Sequence, residues 1–485
     1  MAKKSITKNY MYNLVYQIVI LILPFITTPY VSRVLGAEAI GIYSYTYSIV
    51  TYFALFGSLG VSLYGQREIA YANENKEVRK KVFIEIILFR FITMAISILI
   101  FACFFMKNNQ YSTYYRILII VLFANCFDIS WLFQGMEEFK KTVTRNVCVR
   151  IVSVSLVFIF VKTRDDLIKY TYIYSLADFI GNLSLWLYLP KYMKGVKIKN
   201  VDIFRHMMPI ILLFIPQIAN QVYNMLDKTM IGKMIENKAE VGYYEQGQKL
   251  IRILLTIVTS LGTVMVPRMA ATFASGDKEK VNEYMKMSFR FVFFLSFPIT
   301  FGTLSVSKQF VPIFLGEGYD KVALLINIIS PIILLMGIAN VIGTQYLLPT
   351  KRQKEYTSSI VVGLIVNFIL NAILISKYEA IGASIATVIS QLVVDIMQMI
   401  NIKNEIDLKQ IFKLSYKYFI SAVVMFVVCQ VIKLIHMNNI ASIVAQVVAG
   451  AITYCICLVI LKDDYIYIVT NKLKERFKGK KAEIK

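Results

Sequence analysis

Apolar runs of roughly 18 to 25 residues return along the whole chain, each long enough to cross about 30 Å of hydrocarbon as a helix, and that return limits what the chain can fold into. Of 485 residues 57% are hydrophobic and 17% charged, against about half and a quarter in an ordinary soluble domain. No stretch is left over for a soluble core. The expected fold is therefore an all-α polytopic membrane protein of about fourteen transmembrane helices. Their spans are roughly 10–33, 40–63, 82–106, 114–134, 143–161, 168–189, 207–230, 242–266, 287–307, 322–347, 356–376, 380–400, 413–435 and 440–461.

The formal charge of +23 does not point to nucleic acid, because Lys and Arg sit in short clusters between apolar runs rather than on one folded face. Counted over alternate connections, the side bearing the N-terminus carries roughly 35 of them and the other side roughly 10. Arg79-Lys80-Lys81, Lys140-Lys141, Lys351-Arg352 and the tail from Lys472 to Lys485 lie on the basic side. By the positive-inside rule both termini are expected in the cytoplasm of a multi-pass inner (plasma) membrane protein facing anionic lipid. Lys3, Lys4 and Lys8 precede an apolar stretch from Tyr10 that lacks a small-residue cleavage site, which reads as an uncleaved first helix. Cys103, Cys126, Cys148, Cys429, Cys455 and Cys457 all fall inside apolar runs and are expected as thiols. Outer connections are short, the longest being about a dozen residues between Ser307 and Val322, which leaves no room for an external catalytic domain.

An internal echo links Glu38–Ala70 with Ala239–Ala271. Gly41-Ile42-Tyr43 matches Gly242-Tyr243-Tyr244, Arg67 matches Arg268, and Ser58-Leu59-Gly60 matches Ser260-Leu261-Gly262 one residue out of phase. An offset spanning six helices makes the repeats parallel. The expected organisation is a six-helix lobe over 1–200, a second over 201–405, and two further helices with a basic cytoplasmic tail over 406–485.

The sequence contains no phosphate-loop, HExxH or GxSxG signature and has only two histidines, His206 and His436. An enzyme is therefore not expected, and neither a cofactor nor a metal site is indicated. Polar groups inside apolar helices carry the information instead, since a charge in lipid costs from about 2.5 kcal/mol upward and turns toward protein or a wet cavity. In the seventh helix Gln217, Asn220, Gln221, Asn224 and Lys228 recur at spacings of three and four, with Asp227 beside them. Glu245, Lys249, Arg252 and Thr256 repeat the pattern in the eighth. The first helix offers Asn13, Gln17, Pro24 and Thr27 or Thr28 before Arg33, and the second Ser44, Tyr47, Ser48 and Thr51. A cavity lined by Arg33, Lys228, Lys249 and Arg252 would be cationic and suited to a sugar-bearing diphosphate. The same pattern also fits interhelical amide bonding, with Asp227 paired to Lys228 or Arg252 and Arg33 reaching the headgroups.

Arg90, Asp128, Arg150, Asp178, Arg290 and Asp395 are isolated ionisable residues in or near helices. Charge pairing among them is expected, with proton carriage by Asp128 and Asp178 the alternative. Pro24, Pro209, Pro216, Pro298 and Pro331 permit kinks.

Three stretches resemble the Wzx-type flippases of polysaccharide repeat units, within the multidrug/oligosaccharidyl-lipid/polysaccharide exporter superfamily. They are Pro29-Tyr30-Val31-Ser32-Arg33-Val34-Leu35-Gly36 leading to Gly41 and Tyr43, Trp131-Leu132-Phe133-Gln134-Gly135-Met136-Glu137 leading to Lys140, and Asp227-Lys228-Thr229-Met230-Ile231-Gly232 followed by Val241-Gly242-Tyr243-Tyr244. The resemblance implies two six-helix lobes plus two helices, alternating around a cationic cavity. It also implies transfer of an undecaprenyl-diphosphate-linked oligosaccharide to the outer leaflet for capsule, exopolysaccharide or O-antigen assembly, beside a polymerase and a chain-length regulator. On the matching positions Arg33, Asp227, Lys228, Lys249 and Arg252 are expected to contact diphosphate or glycan, and Gln217, Asn220 and Asn224 to bind sugar hydroxyls. Competing readings are an ion-coupled multidrug exporter of the same superfamily, which would favour an acidic cavity, and a membrane polymerase, which would need an external loop.

Overall fold

The computed structural model of the protein describes residues 6–72, 75–107, 110–193, 201–435 and 437–466, with side chains described from residue 22 onward except at 215, 216 and 414. Among the described residues there is no strand. The helices are α1 (Ile6–Ser58), α2 (Val61–Tyr71), α3 (Lys76–Phe105), α4 (Ser112–Cys126), α5 (Ser130–Gly135), α6 (Phe139–Phe160), α7 (Leu167–Trp186), α8 (Leu189–Met193) and α9 (Met207–Met234). They continue as α10 (Ala239–Thr259), α11 (Gly262–Ala274), α12 (Lys278–Leu315), α13 (Asp320–Ile329), α14 (Ile332–Ala339), α15 (Gln353–Ile402), α16 (Leu408–Lys433) and α17 (Asn439–Ile460).

The helices are amphipathic in the inverted sense that lipid demands. On α15 the buried stripe is Ser359, Gly363, Asn367 and Asn371, while Ile365, Phe368, Ile369 and Ile373 are exposed. On α17 Ser442, Gln446, Gly450 and Tyr454 are buried, and Val444, Val447, Ile452 and Ile456 are exposed. Hydrocarbon does not drive apolar faces together, so small and hydrogen-bonding residues take the contacts between helices. Eight of the described helices are long and apolar enough to cross a membrane, or eleven if each of three bent pairs is one span. Fourteen remains the sequence's count.

The sequence expects separate helices over 10–33 and 40–63, and over 356–376 and 380–400, whereas α1 and α15 run through without a loop. Each is broken at one residue. Gly36 takes φ 79° and ψ 169°, a conformation open essentially to glycine alone. Glu379 takes φ 55° and ψ −131°, a strained geometry for a residue with a Cβ. Its carboxylate is held 2.6 Å from Lys321 Nζ. The continuous α1 also stops at Leu59-Gly60, and α10 stops at Ser260-Leu261, so the two copies of the sequence echo break at matching positions.

The chain divides into two compact units, Met1–Gly242 and Tyr243–Lys485. In the first, α1 packs on α3, α4, α6 and α9, and α5 packs on α2. Trp131 is fully buried, stacked on Phe83 with ring centroids 5.5 Å apart. In the second, α16 and α17 pair and pack on α12. Gln446 Nε2 donates to Gln309 Oε1 at 2.7 Å, and Tyr454 Oη to the Phe294 carbonyl at 3.0 Å.

The turn into α7 depends on Asp166, outside the membrane-spanning segments. Its carboxylate meets Lys169 Nζ at 2.7 Å and accepts from the backbone N–H groups of Lys162 and Thr163 at 2.8 and 2.9 Å. The lysine contact and then these hydrogen bonds hold the carboxyl well below its usual range. A carboxyl depressed by folding adds stability that is complete above its unfolded pKa of about 4 and is lost as pH falls through the folded value. Asp166→Asn is therefore expected to lower the melting temperature at pH 7, and to shrink the difference from wild type below pH 4. Equal melting temperatures at pH 7 would remove this role.

Candidate functional site

The polar stripe expected in the seventh helix lies on α9, and that helix sorts its faces by chemistry. One side docks on the second half of α1. Thr229 Oγ1 lies 3.0 Å from Ser48 Oγ and 3.2 Å from Tyr52 Oη, and Gly232 sits against the ring of Tyr45. Lys238, just beyond α9, is 8% exposed and donates to the carbonyls of Gly232 and Ile235 at 2.8 and 2.6 Å. Burial pulls its pKa below the usual lysine value. The glycines of the sequence echo meet here, because a methyl added at Gly41 would overlap the Lys238 carbonyl, and one added at Gly242 would overlap that of Ala37.

The amides keep accessible surface. Gln217, Asn220 and Lys228 are half-buried and Gln221 and Asn224 exposed, while Asp227 is buried. Asn224 Nδ2 donates to the Asn220 carbonyl at 2.7 Å and Gln217 Nε2 to the Leu213 carbonyl at 3.4 Å, both within their own helix. These two side-chain donors thus turn back on α9. Arg33, three residues before the break in α1, is exposed. In the second unit Glu245 and Lys249 are half-buried, and Arg252 and Thr256 exposed, along one face of α10. The amides and Lys228 of α9, and Lys249, Arg252 and Thr256 of α10, are groups that can donate hydrogen bonds to phosphate and sugar oxygens. Lys8, Asn13, Gln17 and Pro216 have side chains outside the described set, as do Lys3, Lys4, His436 and the tail 467–485.

The buried charges are largely paired. Asp128 lies 3.9 Å from Arg90 on α3 and 4.0 Å from Arg145 on α6, and Arg145 Nη1 donates to Asn182 on α7 at 2.8 Å. Asp128 thus sits between two guanidiniums of different helices and offsets the charge of one of them. Asp178 lies in the fields of Arg150 and Arg145. Asp395 departs from the expectation of a charged partner. It is fully buried, and its described partner is an amide, Gln391 Nε2 at 3.0 Å. Arg290 lies near Tyr418 rather than Asp395 in its electrostatic contacts.

Sequence reasoning missed a buried polar cluster around Glu85. Glu85 of α3 is fully buried, with Arg205 Nη2 at 2.5 Å and His206 Nε2 at 3.0 Å on one oxygen. The backbone N–H of Asp202 donates to the other oxygen at 2.9 Å, and Tyr64 Oη lies 2.8 Å from His206 Nδ1. A carboxylate inside the apolar run after Val82 was the available signal. Among the described residues no group of three His, Cys, Asp or Glu is placed to hold a metal ion.

The chain matches the model of the family described as "Polysaccharide biosynthesis protein" over residues 6–273, and that described as "Lipid II flippase MurJ" over 182–449. It is 24% identical over 407 residues to a putative O-antigen transporter of Escherichia coli, covering 83% of this chain and 98% of the relative. It is 20% identical over 379 residues to a probable low-salt glycan biosynthesis flippase of Haloferax volcanii, covering 76% and 77%. Among solved structures, a lipid II flippase MurJ in an inward closed conformation superposes with a TM-score of 0.76 at 16% identity, covering 93% of this chain and all of that one. An inward-facing multidrug resistance transporter of the MATE family gives 0.58 at 12% identity, covering 79% and 98%. At these identities the superpositions establish the fold.

Proposed function

Because the chain belongs to the polysaccharide biosynthesis protein family, the Wzx-type flippases of the multidrug/oligosaccharidyl-lipid/polysaccharide exporter superfamily, we propose that it carries lipid-linked oligosaccharide across the membrane. The cargo is an undecaprenyl-diphosphate-linked repeat unit moved from the cytoplasmic to the outer leaflet by alternating access, for assembly of O-antigen or a related surface polysaccharide. The observation that carries this reading is likeness over 83% of the chain to a putative O-antigen transporter, joined to accessible amides on α9 and cations on α10. A diphosphate wants cations and charge-assisted donors, and a glycan wants amides and hydroxyls.

In this reading Arg33, Lys228, Lys249 and Arg252 contact the diphosphate. Asp227 orients a cation or takes a sugar hydroxyl, and Gln217, Asn220 and Asn224 bind glycan hydroxyls. Both termini lie in the cytoplasm, and a polymerase and a chain-length regulator receive the product. Removal of one charged phosphate contact costs about 1.5–3 kcal/mol, so Arg252→Ala is expected to slow transport on the order of tenfold or more while leaving membrane abundance unchanged. Parallel loss of transport and abundance would make Arg252 a packing residue.

The test of the reading is reconstitution in liposomes holding undecaprenyl diphosphate that carries the host's repeat unit, with a membrane-impermeant glycosidase outside. Wild-type protein should expose nearly all of the glycan to the enzyme, where empty liposomes expose only the outer leaflet. The MATE-like fold keeps multidrug export as the second reading. Cationic drugs favour carboxylates, whereas the α10 stripe sets two cations, Lys249 and Arg252, against the single carboxylate of Glu245. Drug susceptibility changed by gene deletion, with surface polysaccharide intact, would move the assignment to export.

A further inference from the structure

Four tyrosines form a continuous ladder across two helices of the first unit. Tyr43 and Tyr47 on α1 stack with ring centroids 5.5 Å apart. Tyr43 meets Tyr170 of α7 edge-on at 5.0 Å, and Tyr170 meets Tyr174 at 4.9 Å. A spacing of four residues on each helix puts the rings in register along the two axes. Asp178, one turn further along α7, and Arg150 of α6 lie within electrostatic reach of Tyr47 and Tyr174.

One side of these rings packs on apolar neighbours, Tyr47 on the cluster of Val50 and Leu118 and Tyr170 and Tyr174 on that of Leu35 and Val157, with Tyr43 touching both. Tyr43, Tyr47, Tyr174 and Asp178 lie deep among protein atoms and yet keep accessible surface. A side chain both deep and accessible lines an internal crevice, whereas a lipid-facing one is accessible because it is shallow. Tyr172, on the opposite side of α7, is of the lipid-facing kind at 44% exposed.

Resting on the flippase reading, we infer that Tyr43, Tyr47, Tyr170 and Tyr174, closed at one end by Asp178 and Arg150, form a subsite for the uncharged sugars of the cargo. A pyranose ring presents a face of C–H groups that stacks on an aromatic ring, and an edge of hydroxyls that a phenol, a carboxylate and a guanidinium can bind. Asp178 offsets part of the charge of Arg150 and Arg145, and the four phenols are uncharged, so the ladder competes less for the diphosphate than the cationic residues do. Its hydroxyls equally disfavour the prenyl chain.

The test measures binding of purified full-length protein to two lipids, undecaprenyl diphosphate carrying the host's repeat unit and bare undecaprenyl diphosphate. Wild type should prefer the glycan-bearing lipid on the order of tenfold. Tyr47→Leu with Tyr174→Leu should bring that ratio near unity with affinity for the bare lipid unchanged. Tyr47→Phe with Tyr174→Phe, which keeps the rings and removes the hydroxyls, should fall between and decides the matter if the leucine pair does not fold. A wild-type ratio in either well-folded pair, or equal loss for both lipids, would reduce the ladder to packing. Wild-type protein that binds neither lipid would instead overturn the flippase reading itself.

Discussion

Replacement of Glu85 by alanine is expected to destabilise the folded protein by about 1–3 kcal/mol, the cost of leaving buried donors without their acceptor. Three donors converge on this carboxylate from the segment that leads into α9: the Asp202 N–H, the Arg205 guanidinium and the His206 ring. His206 is 3% exposed and sits between Glu85 and Tyr64, so water cannot readily replace the lost acceptor. Glu85→Gln keeps the volume and an acceptor oxygen and should cost about half as much. Thermal unfolding in detergent checks both variants. An alanine variant that melts with wild type would mean that α3 and the start of α9 are held by apolar packing alone.

The second large effect is expected at the meeting of the echoed glycines. Gly41→Ala places a methyl group on the Lys238 carbonyl oxygen and 2.9 Å from the Gly242 nitrogen. These are backbone atoms, with no side-chain rotamer to yield. Overpacking of this kind costs about 1–3 kcal/mol, occasionally more, and here it would push α1 off the turn that Lys238 organises. Gly242→Ala overlaps the Ala37 carbonyl in the same contact, so the double variant should lose less than the sum of the singles. Small, additive changes in melting temperature would show that the contact yields freely.

The apolar runs, the stripes on α9 and α10 and the echo between the two halves were legible in the sequence, because each is a periodicity along a single helix. What lay across helices was not. Glu85 and His206 are 121 positions apart, and nothing local marks either as the other's partner. The pairing of Asp128 with Arg90 followed from the cost of isolated charge in lipid, yet Arg145 and Asn182 completed that network from helices where a polar residue reads equally well as solvated. Asp395 failed the same reasoning because an amide one turn away supplied its partner. Helix ends also misled. The span expected over 287–307 is only the apolar middle of α12, which runs from Lys278 to Leu315, because hydropathy marks the hydrocarbon and not the end of the hydrogen-bonded helix. The unbroken passage through Gly36 and Glu379 was hidden because a single residue in an unusual conformation turns the chain without a loop.

The most direct test of the central claim is deletion of the gene in its host, followed by the sidedness of the accumulated lipid-linked repeat unit together with surface polysaccharide. A flippase predicts lost surface polymer with complete repeat units trapped in the cytoplasmic leaflet, restored by the wild-type gene. Repeat units accumulating in the outer leaflet would contradict it and place the defect in polymerisation.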